Sequence, residues 1–165
     1  ILLYNRISVY DLDGTIIDSS HRYRSIINPA DGKRRIDLSF WRAHDVPAFI
    51  VKDKLLPLHS QYKEDVKDSR CYVIIATARA CIRDDANYQF INRHLPGYNK
   101  LVHRQGVGDN RKGAAIKVKA IQPLLNLRQF RNAEVTVYED NKQYLLELCK
   151  KLKAVPVYVP SIQGH

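Results

Sequence analysis

The sequence has no methionine, one tryptophan, three cysteines, and only seven glycines and seven prolines in 165 residues. So little glycine and proline excludes collagen-like and low-complexity chains. Apolar runs never exceed a few residues, far short of the roughly 20 that span a bilayer, so no membrane segment is expected. No basic stretch leads into an apolar one, so no signal peptide is expected. The lack of a methionine at position 1 gives the expectation that the natural start lies upstream. Cys71, Cys81 and Cys149 are odd in number and form no C-x-x-C pair, which argues against a disulfide framework and against zinc. Cys71 and Cys149 are expected as buried thiols, and a reducing cytoplasm as the location. Acid is also scarce, with 17 Asp and Glu against 27 Lys and Arg and a net charge of +10. That balance suits a polyanionic partner such as nucleic acid or nucleotides. The basic residues are dispersed, with small clusters at Lys33-Arg34-Arg35 and Lys150-Lys151, so no disordered basic arm is expected.

With 45% hydrophobic residues, the chain can build one core, and residues 1–165 read as a single domain. Four short apolar runs read as strands: Ile7–Tyr10 (extended by Leu2 and Leu3), Cys71–Ala76, Val135–Tyr138 and Val155–Val159. Pro156 places the last near a sheet edge or at a strand start. Between them, 85–94, 112–125 and 141–152 carry helical spacing; Ala115, Ile116, Ala120, Ile121, Leu124 and Leu125 are one such stripe. Strands alternating with helices of this length predict an α/β, Rossmann-like fold, a parallel sheet with helices on both faces. Residues 18–70 show no central strand and read as a small helical or loop cap insert after strand one. Trp41 and Phe40 are expected in its core.

Open α/β sheets bind ligands beyond the carboxyl ends of their strands. There this sequence puts Asp11 and Asp13, then Thr77-Ala78-Arg79, then Glu139-Asp140. Asp11 and Asp13 are two residues apart and point the same way in extended chain; Gly14 allows a sharp turn. Clustered carboxylates repel one another unless a cation joins them, and a few hard oxygens with room for water and phosphate suit Mg²⁺. Such a carboxylate can attack phosphorus, and a second can give and then take a proton. Thr77 and the following amides can hold phosphate oxygens, and a lysine can neutralise charge as it develops. Lys117 and Lys112 are the candidates. An EF-hand is excluded, because counting from Asp11 as the first position Gly14 is fourth rather than sixth.

These motifs resemble the haloacid dehalogenase (HAD) superfamily of phosphohydrolases. Tyr10–Ile17, with its Asp-Leu-Asp-Gly-Thr, looks like the first signature of that superfamily. Ile75–Arg79 looks like the second, Lys117 the third and Val137–Asn141 the fourth. A closer likeness is to the 3′-phosphatase domain of the phage polynucleotide kinase/phosphatase family, carried by the run Arg104–Lys117, by Arg79 after Thr77, and by Arg22 eleven residues after Asp11. Gly113 stands where that family tends to have an acid, and Glu139 where it has aspartate; no Walker A sequence accompanies them. The resemblance implies a Mg²⁺-dependent phosphomonoesterase with an aspartyl-phosphate intermediate. In it, Asp11 is the nucleophile and Asp13 the acid/base that also lends its carbonyl to the metal. Asp140 is a further metal ligand, with Glu139 acting through water. Thr77, Ala78 and Lys117 hold the phosphate, Lys112 is the alternative lysine, and Arg22 and Arg79 touch substrate. Nucleic acid 3′ ends are the implied substrate, in a phage-like protein acting in a host cytoplasm. Mononucleotides or another small phosphoester remain the alternative, and an idle binding module of the same fold the non-enzymatic one. The small insert implies an open site for bulky substrates.

Overall fold

The computed structural model describes residues 3–81, 85–106 and 108–163. In chain order it contains β1 (Arg6–Tyr10), β2 (Ile17–Asp18), β3 (Ser25–Ile27), β4 (Arg34–Ile36), α1 (Leu38–Ala43), α2 (Pro47–Ile50) and β5 (Lys54–Leu55). After these come α3 (His59–Lys67), β6 (Cys71–Ala80), α4 (Ala86–His94), β7 (Lys100–Arg104), α5 (Gly113–Ile121), β8 (Glu134–Glu139), α6 (Lys142–Leu152) and β9 (Val155–Tyr158). Five of the strands form one sheet in the order β7-β6-β1-β8-β9, and each neighbouring pair is parallel. The fold is the expected α/β, Rossmann-like one.

Alternation within the central strands builds two cores. Ile7 and Val9 of β1, Ile74 and Ala76 of β6, and Val135 and Val137 of β8 face one side, under Ile116 and Ile121 of α5 and Leu145, Leu148 and Leu152 of α6. The intervening Tyr10, Val73 and Ile75 face the other side, with Tyr62 of α3 and Phe90 and Ile91 of α4. Two covered faces explain why these strands read as continuous apolar runs. Each buried Ile or Leu contributes about 1.5–3 kcal/mol. Helix starts follow local chemistry: the Asp85 side chain accepts from Tyr88 N–H, and that of Asn141 from Tyr144 N–H. Helix 112–125 ends early as α-helix, since Pro123 sits in a 3₁₀ turn over Gln122–Asn126.

Four expectations are corrected. Leu3 does not extend β1; it is 52% exposed, and Leu2 lies outside the described residues. Cys71 and Cys81 are buried, but Cys149 is only half-buried. The 18–70 insert is not purely helix and loop: β2 pairs with β5, and β3 with β4, in two antiparallel ribbons. Trp41 and Phe40 within it are only half-buried.

A candidate active site at the carboxyl ends of the central strands

β1 lies between β6, which follows it in the chain, and β8, which comes later. The connections therefore diverge at its end, leaving a crevice. Asp11 and Asp13 leave β1 here, Thr77–Arg79 close β6, and Glu139-Asp140 close β8. A pocket of about 520 Å³ opens over them. Its lining includes Asp11, Asp13, Ala78, Arg79, Lys117, Glu139 and Asp140, with Tyr23, Arg34, Arg35, Trp41 and Arg42 contributed by the insert.

The turn after β1 depends on Gly14. Its φ is +77°, and a Cβ there would stand 2.2 Å from Asp140 Oδ2 and 2.6 Å from Ser161 Oγ. Only glycine lets the two loops approach so closely. Thr15 Oγ1 then turns back to donate to Asp11 Oδ2 at 2.8 Å.

Two electrostatic environments result from one strand end. Asp11, Glu139 and Asp140 offer carboxylate oxygens all within 4.8 Å of one another. Among them sits Lys117, buried, whose Nζ donates to Asp11 Oδ1 at 2.9 Å and to Glu139 Oε1 at 3.0 Å. Glu139 Oε2 also accepts from the Asp140 and Asn141 N–H groups, so Glu139 stays ionised, lowered to about 2 chiefly by Lys117 against the cost of burial. The other two acids bear the strain. Burial and the neighbouring carboxylates push Asp11 up to about 7 and Asp140 up to about 10. One lysine does not balance three acids. The cluster has the hard oxygen donors and the deficit of positive charge that a divalent cation satisfies.

Asp13 belongs to a different set. Arg79 clasps it, with Nη2 to Oδ1 at 2.5 Å and Nε to Oδ2 at 2.9 Å, and Ser19 Oγ adds a bond at 2.6 Å. Asp13 is half-buried, and against the cost of that burial the Arg79 guanidinium holds its carboxyl below the usual range. Arg79 Nη1 donates to Asn87 Oδ1, and Nη2 reaches Asp53 Oδ2 at 2.9 Å. Arg22 donates to the same Asp53 carboxylate through Nε and Nη2 and to Asp45 Oδ1 through Nη1. Both guanidiniums lie against the Trp41 ring, at 4.2 Å for Arg22 and 5.8 Å for Arg79.

The sequence-derived residues fall into three groups. Asp11, Lys117, Glu139 and Asp140 converge; Asp13, Ala78 and Arg79 line the same pocket beside them. Thr77 is buried, and its Oγ1 accepts the Arg79 N–H at 3.0 Å, so it shapes the turn under the pocket. Two residues are placed elsewhere. Lys112 is exposed at the N-cap of α5 and is not itself a lining residue, although Gly113 beside it is, and Arg22 is fully enclosed among carboxylates rather than facing the pocket. Asp53, Ser19 and Asn87 were not singled out from the sequence. Ser19 and Asn87 carry no pattern of their own, and Asp53 lies in a charged stretch, Val51-Lys-Asp-Lys54, that resembles any solvated turn.

Several solved structures share this fold along almost the whole chain. A predicted phosphatase from Clostridium acetobutylicum matches with a TM-score of 0.65 at 14% identity, over 98% of this chain and 88% of that one. The HAD domain of the effector protein Lem4 from Legionella pneumophila gives 0.55 at 17%, over 96% and 87%. A chain of the Pnkp1/Rnl/Hen1 complex gives 0.62 at 18%, over 96% of this chain and 46% of that one. These likenesses establish the fold as that of HAD phosphatases. At the level of sequence, the 5′-deoxynucleotidase of Escherichia phage T5 is 34% identical over 88 residues, 51% of this chain and 34% of the relative. The chain thus spans about one third of the relative's length. Residues 3–103, which run from β1 through the insert and β6 to β7, match the family model of the bacteriophage T5 5′-deoxynucleotidase. Because that match covers more than half of the chain, with Asp11, Asp13 and Arg79 inside it, the chain belongs to the bacteriophage T5 5′-deoxynucleotidase family.

Proposed function

We propose that the protein is a phosphomonoesterase that removes the 5′-phosphate of deoxynucleotides through an aspartyl-phosphate on Asp11. The observation that carries this reading is the placement of Asp11: at the end of β1, in a pocket, bonded to Lys117 and to Thr15, beside two further acids. The family favours deoxynucleotides over the nucleic acid ends expected from the motif likeness. A pocket of about 520 Å³ falls in the usual size range for small-molecule and cofactor sites.

In this reading an Asp11 oxygen attacks phosphorus, and the bond from phosphorus to the nucleoside oxygen breaks. Asp13 delivers a proton to that oxygen. Water then attacks the phosphoaspartate while Asp13 takes its proton, releasing phosphate and restoring Asp11. Arg79 keeps Asp13 ionised for the second step, and the charge of an entering phosphate dianion raises its proton affinity for the first. Lys117 meets the negative charge that develops on the phosphoryl oxygens. Asp11, Asp140 and Glu139 would hold Mg²⁺, which would neutralise phosphate charge and leave Asp11 free to attack.

A second reading, removal of 3′-phosphate from nucleic acid ends, is favoured by the arginines at the pocket mouth, Arg34, Arg35 and Arg42, and by the net charge of +10. Phosphate release from deoxynucleoside 5′-monophosphates (the 5′-deoxynucleotides), deoxynucleoside 3′-monophosphates and 3′- or 5′-phosphorylated oligonucleotides separates the two. The assay is run with Mg²⁺ and with EDTA, with Asp11→Asn as control. Fast Mg²⁺-dependent release from 5′-deoxynucleotides is the expected result. Preference for the 3′-phosphorylated oligonucleotide transfers the conclusion to the second reading, and equal release by Asp11→Asn refutes both.

A further inference from the structure

We propose that Asp53 is a positioning residue. Through Arg79 it sets the orientation of Asp13, and so ties the chemistry to the folding of the insert. The inference rests on the reading of Asp13 as the acid/base. Asp53 lies between α2 and β5, in the insert, and its side chain is fully enclosed. It touches neither Asp13 nor Asp11. Its Oδ2 accepts from Arg22 Nη2 and from Arg79 Nη2, each at 2.9 Å, so two buried guanidiniums share one carboxylate oxygen. Without that anion the two cations repel each other in a dry setting, and Arg79 is the one whose displacement matters. The same Nη2 donates to Asp13 at 2.5 Å. Asn87 fixes only the third nitrogen, Nη1, at 3.0 Å.

The chain of contacts runs Asp13, Arg79, Asp53, Arg22, Asp45, alternating in charge, with the three inner members enclosed and only the two ends partly exposed. Among the described residues no buried side-chain nitrogen or oxygen lacks a partner, so no spare acceptor stands ready to replace Asp53. The insert is held in place on the same side. β5 pairs with β2, which follows the Asp13-Gly14 turn, and His21 Nε2 bonds Phe49 O at 2.9 Å. Correct folding of residues 18–55 therefore delivers the carboxylate that fixes Arg79.

The test uses Asp53→Asn and two substrates: a 5′-deoxynucleotide, whose alkoxide leaving group needs a proton, and 4-nitrophenyl phosphate, whose phenolate leaves without one. With Asp13 misplaced by about 1 Å, the single-turnover release of deoxynucleoside falls about 100-fold. The first-turnover burst of nitrophenolate stays within about threefold of the unaltered protein, and KM for both changes little. In parallel, the Arg79 Nε–H signal of ¹⁵N-labelled protein, sheltered by Asp13, exchanges faster with solvent. Arg22→Gln/Asp53→Asn removes a buried cation together with the anion and keeps the test readable if the single variant unfolds; the same pattern is expected. Equal losses on both substrates, or an Arg79 Nε–H signal unchanged in shift and exchange, overturn the proposal. If the unaltered protein turns over neither substrate, the functional reading has failed instead, and the Arg79 signal alone decides the role of Asp53.

Discussion

Neutralising Asp140 should make the metal-free protein more stable while removing its activity. Three carboxylates within 4.8 Å face one lysine. A like-charged pair at that separation costs about 3 kcal/mol at an effective dielectric of about 20. The alternative is for Asp140 to take up a proton at pH 7. From an unfolded value of 3.8, that costs about 4 kcal/mol. The two routes bracket the strain, and relaxation or counterions will relieve part of it. Asp140→Asn is therefore expected to stabilise by about 2 kcal/mol, raising Tm by roughly 4–8 °C in a domain of this size. Thermal unfolding followed by circular dichroism in EDTA measures this directly. Added Mg²⁺ should raise the Tm of the unaltered protein, since ligands of the folded state stabilise it, and should do little for the variant. A lower metal-free Tm for Asp140→Asn would refute the argument that the cluster is short of positive charge.

Other outcomes follow from the same geometry. Gly14→Ala forces φ +77° on an alanine and drives its Cβ against Asp140 Oδ2; it should cost about 2 kcal/mol in urea unfolding and abolish the Mg²⁺-dependent rise in Tm. Asp11 and Asp140 have folded values raised to about 7 and about 10. The stability linked to them is complete below about pH 3.8 and lost as pH rises through those values. Glu139 and Asp13 are lowered, and theirs is lost only on acidification. In EDTA, Tm should fall between about pH 6 and pH 9, and saturating Mg²⁺ should flatten that slope. Arg34→Ala/Arg35→Ala removes two exposed charges at the pocket mouth. The salt dependence of oligonucleotide binding should weaken by a slope of about 1–2, with KM for 5′-deoxynucleotides unchanged within about twofold.

The central strands were legible because burial on both faces makes Val73–Ala76 an uninterrupted apolar run and leaves only Ser8 to break Ile7–Tyr10, and because acids stand at the ends of β1 and β8. β7 was not. Lys100-Leu-Val-His-Arg104 is an edge strand with only Val102 fully buried, so it shows no apolar run. The ribbons of the insert have strands of two or three residues, too short for any period to register. Lys117 could be chosen over Lys112 only by spacing; the structure separates them by burial. Arg22 and Arg79 were visible as cations of the motif likeness, yet what they bond was not. Asp53 is 42 positions from Asp11, and nothing in a charged turn announces that it folds inward.

The β3–β4 ribbon has a closed base. Arg24 donates to Asp37 Oδ2 at 2.7 Å, and Asp37 N–H returns a bond to Arg24 O at 2.8 Å. Residues 25–36 therefore form a cassette whose ends are already tied to each other. It hangs over the pocket mouth without joining the buried charges beneath. Exchanging that segment for one of different length or charge should change which phosphoesters gain entry while leaving the reacting groups as they are. This makes it a natural graft point for engineering new specificities.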